Sequence, residues 1–394
     1  MVASLANTIV VFILAARALG PASFGEFAFY FAIASGFGLV FDFGYPISLL
    51  RNRLSFLPQG RLRIPLSSFY VKSAMFIVLT PLAVFALALA GAEYLLAIVF
   101  WAGIALRSVS NFLAASLRSL GLHKVDAWNN LVSSAIGTGA AVAALLVAPT
   151  KMGFAVALLV GSAFVLMLTW LAWRRKCRFV RVRMTRARLG SELRENFVFF
   201  LDAVCRRSFG LLDVAILGIF ASPVVVGLYQ SAQKIVQGVN IFAQPFSNVL
   251  MPLLSKHSRT PDSFARNSRL AIIGQTLFGV VSGCLVALVG PYVVPLVFSQ
   301  EFAEAGSLFP FFGILIVIRF AFSAVSISRV AQGFILERLI SNAMVLFFFA
   351  VLGSAGAYWY GARGVIVALT AATLIGLFYL SFLIRNRSAG LGPE

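Results

Sequence analysis

The chain reads as an all-α integral membrane protein of about twelve transmembrane helices, in two six-helix lobes related by a pseudo-twofold axis along the membrane normal. Three observations predict this. First, 60% of the 394 residues are hydrophobic and 11% charged, with a mean hydropathy of +0.95; soluble domains are closer to half apolar. Second, the apolar residues fall into twelve separate stretches. Third, the basic residues between those stretches are sorted to one side.

The stretches run over 2–17, 25–49, 69–90, 93–116, 128–148, 153–173, 197–220, 226–253, 269–297, 307–330, 339–360 and 363–384. Most approach the ~20 residues that cross ~30 Å of hydrocarbon at ~1.5 Å per residue. Residues 1–16 lack the basic flank of a signal peptide and lead into a repeated hairpin, so they read as a first spanning helix. Of the 32 basic residues, about 24 lie in alternate connections and the C-terminal tail, among them Arg51, Arg53, Arg61, Arg63, Lys72, Arg118, Lys124 and nine between Arg174 and Arg194. The intervening connections hold Arg17, Lys151 and Arg363. This positive-inside asymmetry predicts an even number of spans and places both termini in the cytoplasm.

The formal charge of +19 is thus spread over short loops, which suits topology and anionic headgroups rather than nucleic acid. The turns on the opposite side are short: Gly20-Pro21-Ala22-Ser23, Gly91-Ala92, Pro149-Thr150-Lys151, Ala221-Ser222-Pro223 and Gly361-Ala362. The predicted organisation is an N-terminal lobe over 1–173, a basic cytoplasmic linker over 174–196 and a C-terminal lobe over 197–394. The lobes share a motif. Pro21-x-x-x-Gly25-x-Phe27 recurs as Pro223-x-x-x-Gly227-x-Tyr229, displaced by 202 residues. Six spans per lobe give both the same orientation, as in parallel-repeat transporters.

Five cations fall inside apolar stretches: Arg107, Arg206, Arg207, Lys234 and Arg319. Each costs about 2.5–3.5 kcal/mol at the bilayer centre if it faces lipid. They are therefore expected to face protein or a water-filled cavity. On one helix Asp202, Arg206 and Asp213 share a face at i, i+4 and i+11. Gln230, Lys234, Gln237, Gln244 and Asn248 form a second polar row, Arg107, Asn111 and Arg118 a third, and Arg319, Ser323 and Ser326 a fourth. Five cations against the acids Asp42, Asp202 and Asp213 predict a shared cationic interior for an anionic ligand, which arginine grips bidentately when it is a phosphate. Arg206 can instead neutralise Asp202 or Asp213, and Arg107 can snorkel to the interface. The three acids are candidates for ion coupling, with helix pairing the alternative for Asp42.

Cys177, Cys205 and Cys284 are odd in number and scattered, and His123 and His257 lie in connections, so no disulfide framework, metal site or catalytic group is read. The chain lacks a phosphate-binding P-loop, a nucleotide fingerprint and a zinc motif, so it does not encode an ATP-driven pump. No cofactor is expected.

Ala16-Arg17-Ala18-Leu19-Gly20-Pro21-Ala22-Ser23-Phe24-Gly25, with Asp42-Phe43-Gly44, resembles the opening of Wzx-type polysaccharide and O-antigen flippases, of the multidrug/oligosaccharidyl-lipid/polysaccharide exporter superfamily. Leu212-Asp213, Gly227-Leu228-Tyr229-Gln230-Ser231-Ala232, Met251-Pro252-Leu253-Leu254, and Val297-Phe298 followed by Glu301-Phe302-Ala303-Glu304-Ala305 are similar to later segments of that family. The resemblance implies two six-helix lobes around a cationic cavity with alternating access. It implies transport of a polyprenyl-diphosphate-linked oligosaccharide from the cytoplasmic to the periplasmic leaflet of a bacterial inner membrane, for lipopolysaccharide or exopolysaccharide assembly. Arg206, Arg207, Lys234 and Arg319 then meet diphosphate or acidic sugars, with Arg107 a further substrate contact. Gln230, Gln237, Asn240 and Gln244 offer sugar hydrogen bonds. The implied partners are the lipid-linked oligosaccharide, membrane lipids and polysaccharide polymerase machinery. Two other readings are a cation-coupled exporter of small organic molecules, which wants an acidic pocket, and a polyprenyl-dependent sugar polymerase, which needs catalytic carboxylates near the interface. The non-enzymatic transporter is the reading the excess of cations favours.

Overall fold

A backbone crossing hydrocarbon has no water to pair with, so its N–H and C=O groups must bond within helices or closed barrels. The computed structural model of the protein takes the helical solution. It describes residues 2–51, 62–147, 149–180, 186–240, 250, 254 and 261–388. Helix α1 runs over Val2–Asp42, α2 over Tyr45–Arg51, α3 over Leu66–Leu89, α4 over Tyr94–Ser119, α5 over His123–Val147 and α6 over Lys151–Lys176. They are followed by α7 over Arg186–Arg207, α8 over Phe209–Phe220, α9 over Pro223–Asn240 and α10 over Pro261–Val297. A 3-10 turn over Gln300–Leu308 leads into α11 over Phe309–Ala331, and α12 covers Ile335–Ser388.

Among the described residues seven helices are long and apolar enough to cross a membrane: Ile9–Asp42, Ser68–Leu89, Tyr94–Ser119, Lys151–Lys176, Ser263–Val297, Gln300–Ala331 and Ile335–Leu383. This is a multi-pass membrane protein. The last of these spans is 49 residues, about twice what a ~30 Å core requires. It contains a break at Gly361 (φ 56, ψ −135), and α1 contains one at Gly20 (φ 70, ψ 172) next to Pro21. Both breaks fall in turns expected from the sequence. The expected spans over 128–148, 197–220 and 226–253 are not among the seven. Helix α8 is 12 residues long and α5 carries Asn and Ser residues, while the expected span 226–253 is described only to Asn240 and at 250, its remainder lying outside the described residues.

Exposed apolar side chains such as Ile77 (71%), Leu288 (72%) and Phe378 (70%) cover the spanning helices, as lipid-facing surfaces require. Local signals set the ends. Thr150 caps α6, its hydroxyl accepting from the Gly153 N–H at 3.1 Å, and Arg174, Arg175 and Lys176 fill the last turn, where the helix dipole favours cations.

The all-helical expectation needs one amendment. Strand β1, Leu62–Pro65, pairs in parallel with β2, Cys177–Val180. Residues 174–196, read from the sequence as a linker, hold the end of α6, all of β2 and the start of α7, apart from 181–185, outside the described residues. Burial pushes the Cys177 thiol up to about 12, so it is a packing residue.

The chain divides into two compact units, Met1–Leu19 with Glu26–Leu211, and Gly20–Gly25 with Leu212–Glu394. In the first, Tyr45, Phe112, Leu113, Leu117, Trp173 and Cys177 form one apolar core, and Phe41, Leu79, Ala83, Trp101 and Ala105 another. In the second unit the repeated motif meets itself. A Cβ on Gly25 would overlap the Pro223 carbonyl, and one on Gly227 the Pro21 carbonyl.

Candidate functional site

In the second unit the site starts at Asp213 on α8, fully buried. Its Oδ1 accepts the Val214 N–H at 2.7 Å; its Oδ2 accepts the Tyr229 hydroxyl at 2.8 Å and the Gln233 side-chain amide. Tyr229, Gln233 and Lys234 all belong to α9, one helical turn bringing the tyrosine and the glutamine to the same carboxylate. Lys234 is buried, its Nζ donating to Gln237 Oε1 at 3.3 Å. Lys234 and Arg319, from α11, both act electrostatically on Asp213. Among the described residues this one carboxylate interacts with both cations.

Neutral acceptors lie in the same unit. Gln230 and Gln233 each bury an Oε1 without a hydrogen-bond partner among the described residues, and Gln275 does the same while its Nε2 donates to Ser323 Oγ at 3.2 Å. Buried amides are rarely left so. They suit a hydroxyl-rich ligand. Asn240 ends α9 and its side chain is outside the described ones; Gln244 and Asn248 lie outside the described residues.

The first unit carries a different cluster. Asp42 ends α1, where Phe43 (φ 42) and Gly44 (φ 72) turn the chain into α2. Its carboxylate accepts from the Ser108 hydroxyl, lies 4.0 Å from Lys72 Nζ and 3.5 Å from Arg207 Nη1. Lys72 also donates to Phe41 O at 2.9 Å and Ser108 Oγ at 3.2 Å, with its ammonium 4.3 Å from the Phe41 ring centroid. Sequence reasoning grouped Lys72 with the loop cations; it is instead buried on α3. Its place within the stretch 69–90 was the available signal. Arg207 is half exposed and engaged with Asp42.

Asp202, Arg206 and Asp213 do not share one continuous helical face. The helix breaks at Ser208, between α7 and α8, where Leu211 N bonds back to Ser208 O at 3.0 Å. Asp202 and Arg206 belong to the first unit, with side chains outside the described ones, and Asp213 to the second. Arg107, from α4, lines a cavity wholly within the first unit.

A further repeat-like pair closes two connections. Arg118 meets Asp126 at 3.1 Å, and Arg329 meets Glu337, each pair eight residues apart and bracketing a glycine of positive φ, Gly121 or Gly333.

Residues 1–258 match the family described as polysaccharide biosynthesis protein. The chain belongs to that family. No curated protein matches it by sequence. Among solved structures it is similar to the lipid II flippase MurJ in an inward closed conformation, with a TM-score of 0.76 and 18% identity over 97% of this chain and 86% of that one. It is also similar to an inward-facing multidrug resistance MATE family transporter of the MOP superfamily, with a TM-score of 0.69 and 15% identity over 99% and 95% of the two chains. A MOP superfamily transporter from Pyrococcus furiosus, whose binding pocket has reversed polarity, matches at 0.56 and 15% identity over 99% and 96%. At such identities the likeness is one of fold. This member of the polysaccharide biosynthesis family shares its fold with these flippases and transporters.

Proposed function

We propose that the protein is a flippase that moves a polyprenyl-diphosphate-linked oligosaccharide from the cytoplasmic to the periplasmic leaflet of a bacterial inner membrane by alternating access, with both termini in the cytoplasm. The observation that carries this reading is the pair of cations at membrane depth: among the described residues Lys234 and Arg319 face a single carboxylate that Tyr229 and Gln233 already occupy. Buried cations favour an anionic partner, and arginine grips phosphate oxygens bidentately. The unpartnered Gln230 and Gln233 oxygens supply acceptors for sugar hydroxyls, with Gln237, Asn240 and Gln244 extending that row. Arg206 and Arg207 belong to the same substrate set on the first unit, and Arg107 has its own cavity there. Six-helix lobes over 1–173 and 197–394 and a basic linker over 174–196 complete the proposed transporter, working beside polysaccharide polymerase machinery.

The test is glycan export in a strain that depends on this chain. Lys234→Glu and Arg319→Glu should each lower surface glycan at least about tenfold, because the reversed charge repels the diphosphate, while membrane insertion and protein level hold. Normal output from both variants removes the assignment. A cation-coupled exporter is the second reading, favoured only by the MATE-like fold, and fold does not determine cargo. Uptake of a cationic dye into vesicles driven by a proton or sodium gradient decides for it.

A further inference from the structure

Helices α5 and α6 cross so closely at Gly137 and Gly161 that a Cβ on Gly161 would lie 3.2 Å from the Gly137 Cα. That approach brings Ser133 and Ser134 of α5 beside Ser162 of α6, and α4 adds Arg107 where Gly103 packs on Leu159. Together with apolar side chains of α1 they line a cavity of about 170 Å³. This is roughly ten times the space one water needs, room for one small polyatomic group and too little for a sugar chain.

Three of the four polar side chains lining it, Arg107, Ser134 and Ser162, are donors without engagements among the described residues. Among the described residues Arg107 has neither a carboxylate partner nor a hydrogen bond, although it lies mid-way along a membrane-spanning helix. Ser162 is nine-tenths buried and its hydroxyl is likewise unbonded; Ser134 is partly exposed and also unbonded, while Ser133 is spent on the Asn129 carbonyl at 2.5 Å. No carboxylate is among the lining residues. Water can satisfy these hydrogen bonds but cannot neutralise a guanidinium held at that depth. A guanidinium fork flanked by two free hydroxyls matches an oxyanion with three or four acceptor oxygens.

We infer that this cavity is a single-oxyanion site inside the first unit, taking one phosphoryl group, with Arg107 as the charge and Ser134 and Ser162 as flanking donors. The phosphoryl group comes either from the transported lipid or from free phosphate. Naming the lipid as the source rests on the flippase reading; the oxyanion site does not.

The full chain in zwitterionic nanodiscs, titrated calorimetrically with inorganic phosphate, pyrophosphate and a polyprenyl diphosphate, tests it. The wild type should bind at least one of the three. Arg107→Gln should weaken that binding about tenfold or more, Ser162→Ala severalfold, and Lys124→Gln, at an exposed connection residue, should leave it unchanged. If Arg107→Gln does not fold, Arg107→Lys and Ser162→Ala give the graded loss instead. Binding of all three ligands equally assigns the site to a free anion; tighter binding of the prenylated form assigns it to the substrate. Absence of oxyanion binding, or binding indifferent to both Arg107 and Ser162 variants, overturns the site. Loss of the flippase reading through unaffected glycan export would leave the titration result standing.

Discussion

Tyr229 and Phe27 occupy equivalent positions in the two copies of the repeated motif and differ by one hydroxyl. Phe27 has an apolar task, its ring edge-on to Phe12 at 5.8 Å and to Phe154 at 6.4 Å. Tyr229 keeps such packing, against Phe312 at 5.6 Å, and uses its hydroxyl to hold Asp213. Tyr229→Phe should therefore destabilise the protein by about 1.5–3 kcal/mol, the loss expected for a hydrogen bond to a charged group, read as a lower Tm in detergent. An unchanged Tm would mean the carboxylate is held by Gln233 and Val214 alone. A second residue-scale prediction concerns Lys72. Removing one member of a buried ion pair costs about 3–5 kcal/mol, while removing both can be nearly neutral. Lys72→Met and Asp42→Asn should each be strongly destabilising, and the double variant milder than their sum. Additive losses would show that the two do not act as a pair. Asp213, Lys234 and Arg319 were legible in the sequence because a charge stands out in an apolar run. Tyr229, Gln233 and Gln275 were not, since a neutral side chain becomes a ligand only through a partner on another helix. The Asp42–Lys72 pair was hidden for the same reason, its members lying on α1 and α3.

At the level of elements, hydropathy located most helices and misjudged their ends. The expected spans 69–90, 93–116 and 153–173 correspond to α3, α4 and α6, each displaced by no more than a few residues. The failures have a common cause. A hydropathy run does not register a backbone break inside apolar sequence, so the interruption at Ser208 and the turn at Phe43-Gly44 were read as continuous helix. The pairing of β1 with β2 joins segments more than a hundred residues apart in sequence and leaves no periodic trace. The Pro-x-x-x-Gly repeat, by contrast, was legible, and its physical reason is the reciprocal fit of each glycine on the other copy's proline carbonyl. Gly227→Ala should cost about 1–3 kcal/mol by forcing that contact apart. Gly139→Ala is the matched control: nothing lies within 4 Å of its Cβ, and alanine favours a helix interior by about 1 kcal/mol over glycine. A Tm that falls equally in both variants would contradict the contact.

For the whole molecule, composition alone separated a membrane protein from a soluble one, and the cation bias proposed an orientation for it. Which groups each unit gathers was beyond the reach of spacing rules, because helices from distant parts of the chain supply them. The units are also not contiguous in sequence. The six residues Gly20–Gly25 sit with Leu212–Glu394, while both flanking arms of α1 sit with the other unit. The polypeptide therefore passes between units three times, and severing the backbone after Leu211 removes only one of those passages. Fragments 1–211 and 212–394 produced as separate chains should co-purify through a tag on either one, with the Gly20–Gly25 loop acting as an embedded clasp. Recovery of the tagged piece by itself would show that the clasp does not hold.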